Sequence, residues 1–283
     1  CLGAVAASSV AQQPAPYRVT FRRVWEPNHQ AFTMMIPRDW VAQGGLEYVN
    51  PLVQDPGQIM VPKTNFTVMS PDGQVGLEWY EEKRFWSWGP TPPPGAPLLN
   101  QTGFYGGMPI VPRMDASTFI EQMVIPHRRQ GYGLQVTERR SLPGVAQAYA
   151  QSLPGASVAL IGGACTADAA VTSTASAQRD ERFMVILSIF QMPSGDAIWS
   201  NPITCSWWAP SGQMANWEPL LMIIYQSLQL NPRWVEQEIL RQAQSSRTLA
   251  GVQDAIARID GEIVAHRMAT NAEIARQGQL TVL

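Results

Sequence analysis

Lysine, cysteine and histidine are scarce in this 283-residue chain, and each scarcity excludes something. Only Lys63 and Lys83 are lysines among 20 basic residues; against 22 acidic ones the formal net charge is −2. A chain so balanced is not a broadly basic nucleic-acid binder. The three cysteines are too few for a disulfide-framed miniature domain, and none sits in a Cys-x-x-Cys pair. His29, His127 and His266 lie far apart, so they form neither a ligand pair at helical spacing nor a recognisable catalytic base. No apolar run approaches the roughly 18–20 residues of a membrane-spanning helix. Charged residues are 15% of the chain, below the about 25% of ordinary soluble proteins. With ten tryptophans and 45% hydrophobic residues, that low charge excludes a disordered chain. Also missing are a Gly-x-Ser-x-Gly elbow, a phosphate-cradling loop and a dinucleotide fingerprint, so no cofactor is expected.

What is present begins with a small, apolar start, Cys1-Leu2-Gly3-Ala4-Val5-Ala6-Ala7, followed by Gln12-Gln13-Pro14. It reads as the remnant of a secretory signal cleaved after Ala11, as a bacterial lipoprotein acylated at Cys1 with residues 1–16 as its tether, or as an arbitrary boundary. The first two place the protein outside the cytoplasm of a bacterium. In that oxidising setting Cys165 and Cys205 are expected to form a disulfide between neighbouring strands, with buried free thiols as the alternative.

Residues 17–232 read as one α+β domain. Alternation marks strands at 17–24 and 31–36. A hairpin at 65–80 turns on Ser70-Pro71-Asp72-Gly73. Residues 86–113 are dense in Pro and Gly and read as a long ordered loop. Asp115 caps a helix with Phe119, Ile120, Met123 and Val124 on one face, which Pro126 is expected to stop. Strands follow at 134–138, 145–153, 157–177, 182–190 and 198–208, and short turns between them imply antiparallel pairing. A helix with Asn216 as cap carries Trp217, Leu220, Leu221, Ile224 and Leu228, and Asn231-Pro232 starts another. In the remaining extension, 233–283, Leu249, Val252, Ile256, Ile259 and Ile263 form an amphipathic helical stripe. It suits a helix lying on its own domain, self-association or a partner protein.

Two constellations bear on function. Glu78, Glu81 and Glu82 stand beside Trp79, Tyr80, Trp86 and Trp88, the equipment of a secreted glycan-acting hydrolase, although a charged strand end on a wet face explains them too. Trp86, Trp88, Phe104, Tyr105, Trp207 and Trp208 gather at loop edges and strand ends. Large rings there make a binding surface, the alternative being packing beneath the long loop. Adjacent residues on a strand face opposite ways, so one of Trp207 and Trp208 is expected to point away from the core.

The segment Phe32-Thr33-Met34-Met35-Ile36-Pro37-Arg38-Asp39-Trp40 resembles the F-x-x-x-x-P-x-x-W start of PsbP-like domains. The finish, a helix into Leu228-Gln229-Leu230-Asn231-Pro232, is similar to their closing helix. The resemblance covers residues 17–232 and implies an α-β-α sandwich: an antiparallel sheet flanked by helices, without catalytic residues. It also implies an exported or lipid-anchored domain that binds or stabilises other proteins. The expectation is therefore a non-catalytic extracytoplasmic binding or assembly protein. Its alternatives are a glycan-acting or carbohydrate-binding protein and a structural envelope lipoprotein. Its partner is another protein or a second copy, and it meets a membrane only through an N-terminal lipid.

Overall fold

Strands lead the architecture from the first described residue. A computed structural model describes residues 19–48, 62–90, 103–105, 107–152, 164–241 and 244. The chain opens with β1 (Phe21–Trp25), β2 (Phe32–Pro37) and β3 (Val41–Glu47), then the hairpin of β4 (Lys63–Met69) and β5 (Gly76–Trp79). Next come β6 (Arg84–Ser87) and the short pair β7 (Phe104–Tyr105) and β8 (Met108–Pro109). Helix α1 runs from Ala116–Phe119 through the wider π-type turns of Ile120–Val124 to Ile125–Arg128. It is followed by β9 (Gln135–Ser141), α2 (Pro143–Ser152) and three long strands, β10 (Ala164–Ala175), β11 (Arg179–Gln191) and β12 (Ala197–Pro210). Helix α3 (Met214–Gln226), β13 (Gln229–Leu230) and a helix over 232–241, here α4, complete the described chain.

The large sheet has the order β3-β4-β5-β12-β11-β10-β9, every pair antiparallel, and β6 pairs with the opposite end of β12 from β5. A small sheet has the order β1-β2-β13. One face of the large sheet packs Phe183, Val185, Leu187 and Trp199 under Phe119 and Ile120 of α1. The other packs Phe66, Leu77, Cys205 and Trp207 under Leu221 and Ile224 of α3 and Met34 and Ile36 of β2. On that second face α2 adds a smaller cluster of Ala146 on Ala169 and Ile186. The result is α+β, an antiparallel sheet with helices on both faces.

Most expected strands are in place, and the departures have physical reasons. Of the strand expected at 145–153, the described residues 145–152 are helical, not extended: the Ala-rich stretch after Pro143 has a high helix propensity, and Val145 and Ala146 N–H both donate to the Leu142 carbonyl. Asp115 does cap α1, accepting from Thr118 N–H at 2.8 Å, but Pro126 does not stop it. The π-type turns shift the register so that the ring enters the first turn of Ile125–Arg128, where a missing N–H costs nothing. Asn216 lies inside α3, whose cap position is Gln213, with no side-chain capping bond among the described residues. Residues 84–87, expected at the edge of a loop, are strand β6. Cys1 and the stripe of Leu249, Val252, Ile256, Ile259 and Ile263 lie outside the described residues, as do 91–102 and 106 of the Pro-rich loop.

The expected disulfide is corrected: Cys165 and Cys205 are free. They sit on β10 and β12 with β11 between them, opposite Phe190 and Met184 respectively. One intervening strand and a six-residue offset along β11, about 20 Å, exceed the ~7 Å Cα separation a disulfide spans. Burial pushes the Cys205 thiol up to about 12.

Glu26 is a fully buried carboxylate that shapes the turn between β1 and β2. It accepts the N–H groups of Asn28 (2.9 Å), His29 (2.8 Å), Ala31 (3.3 Å) and Leu46 (2.9 Å), tying the small sheet to β3. Gly45 permits this approach, because a Cβ there would fall 2.2 Å from Glu26 Oε1. Burial alone would raise the carboxyl; the four N–H donors outweigh it together and hold it below the ordinary glutamate value.

Two outcomes follow. A depressed carboxyl contributes stability above its unfolded value and loses it as pH falls, so Glu26→Gln is expected to destabilise by about 2–3 kcal/mol at neutral pH. The gap should narrow below about pH 4.3, as read from urea midpoints across pH. Native thiol labelling should modify Cys165 before Cys205, and reduction should leave the intact mass unchanged by any bridge between them.

Candidate functional site

The aromatic residues singled out by the sequence divide into two groups. Trp207 and Trp208 are both 5% exposed: the alternation is real, but each face of β12 is covered, so neither points to solvent as expected. Trp207 packs beneath α3, while Trp208 lies opposite and donates its indole N–H to the Gly73 carbonyl at 3.1 Å. Trp86, Trp88 and Tyr105 do come together, with ring centroids 4.3–5.3 Å apart. The β7–β8 pair folds over β6, where Val111 N–H donates to the Trp86 carbonyl, and Gly89 N–H is fixed by Asp196. Tyr105, 45% exposed, forms the outer surface of this cluster, with Trp86 buried below, and its neighbour on β7, Phe104, is 63% exposed. The indole N–H groups of Trp86 and Trp88 are buried and have no hydrogen-bond partner among the described residues.

A second site was not anticipated. Between α3, the small sheet and the β4–β5–β12 part of the large sheet lies a cleft of about 480 Å³. Its walls carry Phe32, Trp79, Tyr225 and Trp234, with Glu82 as its charged side chain. The Trp79 and Tyr225 rings are parallel, 5° between planes and 6.1 Å between centroids. Trp234 reaches the cleft because Asn231 Oδ1 accepts from Arg233 N–H and caps the start of α4. Tyr48 Oη donates to Glu238 Oε2 at 2.8 Å, and Arg241 lies over the Tyr48 ring at 4.5 Å. The start of the extension thus belongs to the packed fold, and the domain runs past 232.

The carboxylates part company. β5 ends at Trp79, and the chain then turns, so Glu82 lines the cleft on the α3 side while Glu78 stays under α1. Arg129, at the end of α1, donates from Nη2 to Glu78 Oε2 (2.6 Å), Tyr80 Oη (2.8 Å) and Glu181 Oε1 (2.8 Å). Its Nε meets both oxygens of the fully buried Glu181 at 3.0 Å. Arg179 adds a second guanidinium at 2.9 Å and Ser206 Oγ donates at 2.6 Å, so two acids and two guanidiniums balance. Arg129 and Arg179 also lie over the Trp208 ring, at 5.7 and 5.0 Å. Burial pushes the Tyr80 phenol well up despite Arg129 beside it, which leaves it a neutral hydrogen-bonding group. This cluster clamps α1 to the sheet. Of the histidines, His29 packs edge-on against Tyr48 at 4.8 Å and His127 lies near the end of α1. Among the described residues no group of three or more His, Cys, Asp or Glu is arranged to hold a metal.

No protein-family model matches the chain, and no curated protein matches it. Among solved structures, the solution structure of cyanobacterial PsbP from Synechocystis sp. PCC 6803 is similar at 8% identity. The match covers 79% of this chain and 100% of that one, with a TM-score of 0.29. A superposition that loose carries no argument about function, and the antiparallel α+β fold stands on the strand order and layers described above.

The aromatic edge was legible because its residues are close in sequence. The cleft was not, because Phe32, Trp79, Tyr225 and Trp234 come from four distant segments and no local spacing links them. The Arg129 clamp had the same obstacle. Removing Arg129 strands buried acids, so Arg129→Met is expected to cost about 3 kcal/mol in urea unfolding. Arg129→Lys should recover only part, since an ammonium cannot make the forked contact.

Proposed function

We propose that this chain is a non-catalytic, extracytoplasmic binding domain of a bacterial cell envelope that works by protein–protein contact, including contact with a second copy of itself. The observation that carries the reading is the uncovered apolar side of α4. Ile239 and Leu240 are 62% and 65% exposed and, with Val235 and Leu230, border a shallow depression of about 450 Å³. Single exposed apolar side chains are ordinary, but a contiguous group on one helix is a contact surface. The sequence continues the theme with the stripe of Leu249, Val252, Ile256, Ile259 and Ile263, which suits a helix–helix contact. Phe104 and Tyr105 supply a second aromatic contact area.

The hydrolase alternative is weakened by the separation of Glu78 from Glu82, since glycoside hydrolysis needs two carboxylates flanking one bond. Anchoring through acylated Cys1 remains part of the proposal, and an N-terminal lipid would hold these surfaces near a membrane.

Light scattering across protein concentration tests the reading. The full chain is expected to dimerise, while a truncation after Gln244 and the variant Leu240→Asp should be monomeric with an unchanged melting temperature. A full chain that stays monomeric at every concentration overturns self-association. A truncation that unfolds would assign the tail to the core.

A further inference from the structure

We propose that the outer edge of β1 receives an extended acidic segment of another protein as an added antiparallel strand. This rests on the reading of the chain as a contact domain but uses a different surface from α4, so failure of self-association leaves it standing. Its own failure equally leaves the α4 contact untouched. The backbone sets the geometry. Arg38 N–H donates to the Thr20 carbonyl at 2.8 Å and Glu26 N–H to the Phe32 carbonyl at 2.9 Å. With Arg22 opposite Ile36 and Val24 opposite Met34, these bonds fix the alternation of the β1–β2 ladder. Phe21, Arg23 and Trp25 therefore turn their N–H and C=O groups away from β2, and among the described residues no strand pairs with them. Unpaired groups at two-residue spacing are a template for one more strand.

The other strands that end the two sheets are less receptive. β13 has two residues. β3 is interrupted by Gly44 at a φ of 80° and gives its Leu46 N–H to Glu26. The pairing of β9 with β10 carries a register shift between Ser173 and Thr174. β1, by contrast, is five residues long, lacks Pro and stays in unbroken register with β2. Beside it an open depression of about 570 Å³, bordered by residues 22–25 and 38–42, leaves room for a chain.

Charge selects the occupant. Arg22 donates from Nε to the Arg38 carbonyl (3.1 Å) and from Nη2 to the Trp40 carbonyl (3.0 Å). Arg23 donates from Nη1 to Thr33 Oγ1 (2.8 Å) and Gln229 Oε1 (3.0 Å). These partners are neutral, and both guanidiniums keep N–H donors to spare. Arg38 is exposed on the same border, and among the described residues none of the three arginines is ion-paired. Asp39 is the one acid among the described residues of that border, so three cations face one carboxylate. An antiparallel match of two β1 strands would set arginine opposite arginine, which makes a second copy the wrong occupant. The strand that fits places acids opposite Arg23 and Arg22, preceded by apolar residues opposite Val24 and the 53% exposed Trp25. Its sequence reads apolar-apolar-acidic-acidic.

Titration calorimetry of the full chain with the peptide acetyl-Thr-Val-Val-Glu-Glu-Val-Thr-amide decides the matter. The same peptide with Lys-Lys in place of Glu-Glu is expected to bind at least about tenfold more weakly. N-methylation at its second, fourth and sixth residues, which removes the donors facing β1, should abolish binding. In hydrogen exchange, the amides of Phe21, Arg23 and Trp25 should be open in the free chain and protected by the peptide. Arg22→Glu combined with Arg23→Glu should reverse the order of the two charged peptides, while Arg140→Glu on β9 should leave it unchanged. Melting temperatures of all variants establish that each is folded. Equal binding of the two peptides, binding that survives N-methylation, amides already protected in the free chain, or no binding would overturn the proposal. So would capture of phosphatidylglycerol vesicles through these arginines with the peptide ignored, which assigns the patch to a membrane instead.

Discussion

Burial of both faces of the β11–β12 pair is the constraint on which the rest of the molecule depends. Antiparallel sheets commonly leave one face to water and alternate accordingly. Here Phe183, Val185 and Leu187 pack under α1, while Cys205 and Trp207 pack under α3. A sheet covered on both sides needs two apolar layers, and a chain with 15% charged residues and ten tryptophans can supply them. Trp207 and Trp208 show the consequence directly. They are neighbours on one strand, point to opposite faces, and are both buried.

Covering both faces also traps polar groups, and the buried carboxylates Glu26 and Glu181 are each matched individually. Glu26 is matched by four backbone donors, Glu181 by two guanidiniums and the Ser206 hydroxyl. Such groups add little net stability over apolar replacements, but leaving one unmatched is expensive. They act as position markers: Glu26 sets the small sheet against β3, and Arg129 sets α1 against β5, β11 and β12. Gly76 serves the same close packing, since a Cβ there would sit 2.5 Å from the Trp208 ring.

With the sheet closed on both sides, the places left for other molecules lie at the margins of its covering layers. Tyr105 sits on the β7–β8 pair over Trp86, where the α1 layer gives way to a hairpin. The cleft opens where α3 ends and β13 and α4 begin, so its walls are assembled from both sheets and two helices. The apolar side of α4 is the outer surface of the same junction. The proposed contact surface and the cleft thus share one corner of the molecule, with Trp234 packed on the core from α4.

Local chemistry was readable from the chain itself: the 65–80 hairpin from its Ser-Pro-Asp-Gly turn, the α1 cap from Asp115, the central strand from its run of β-branched residues, and α4 from Asn231-Pro232. These signals act over a few residues, where backbone dihedrals and side-chain periodicity decide the outcome. Tertiary structure alone decided that Cys165 and Cys205 are a strand apart and that Glu78 and Glu82 face different surroundings. It also decided that Phe32, Trp79, Tyr225 and Trp234 share one cleft. The reason is physical: strand order and sheet covering are set by contacts between residues far apart in sequence, and neither pairing partner carries a local mark of the other.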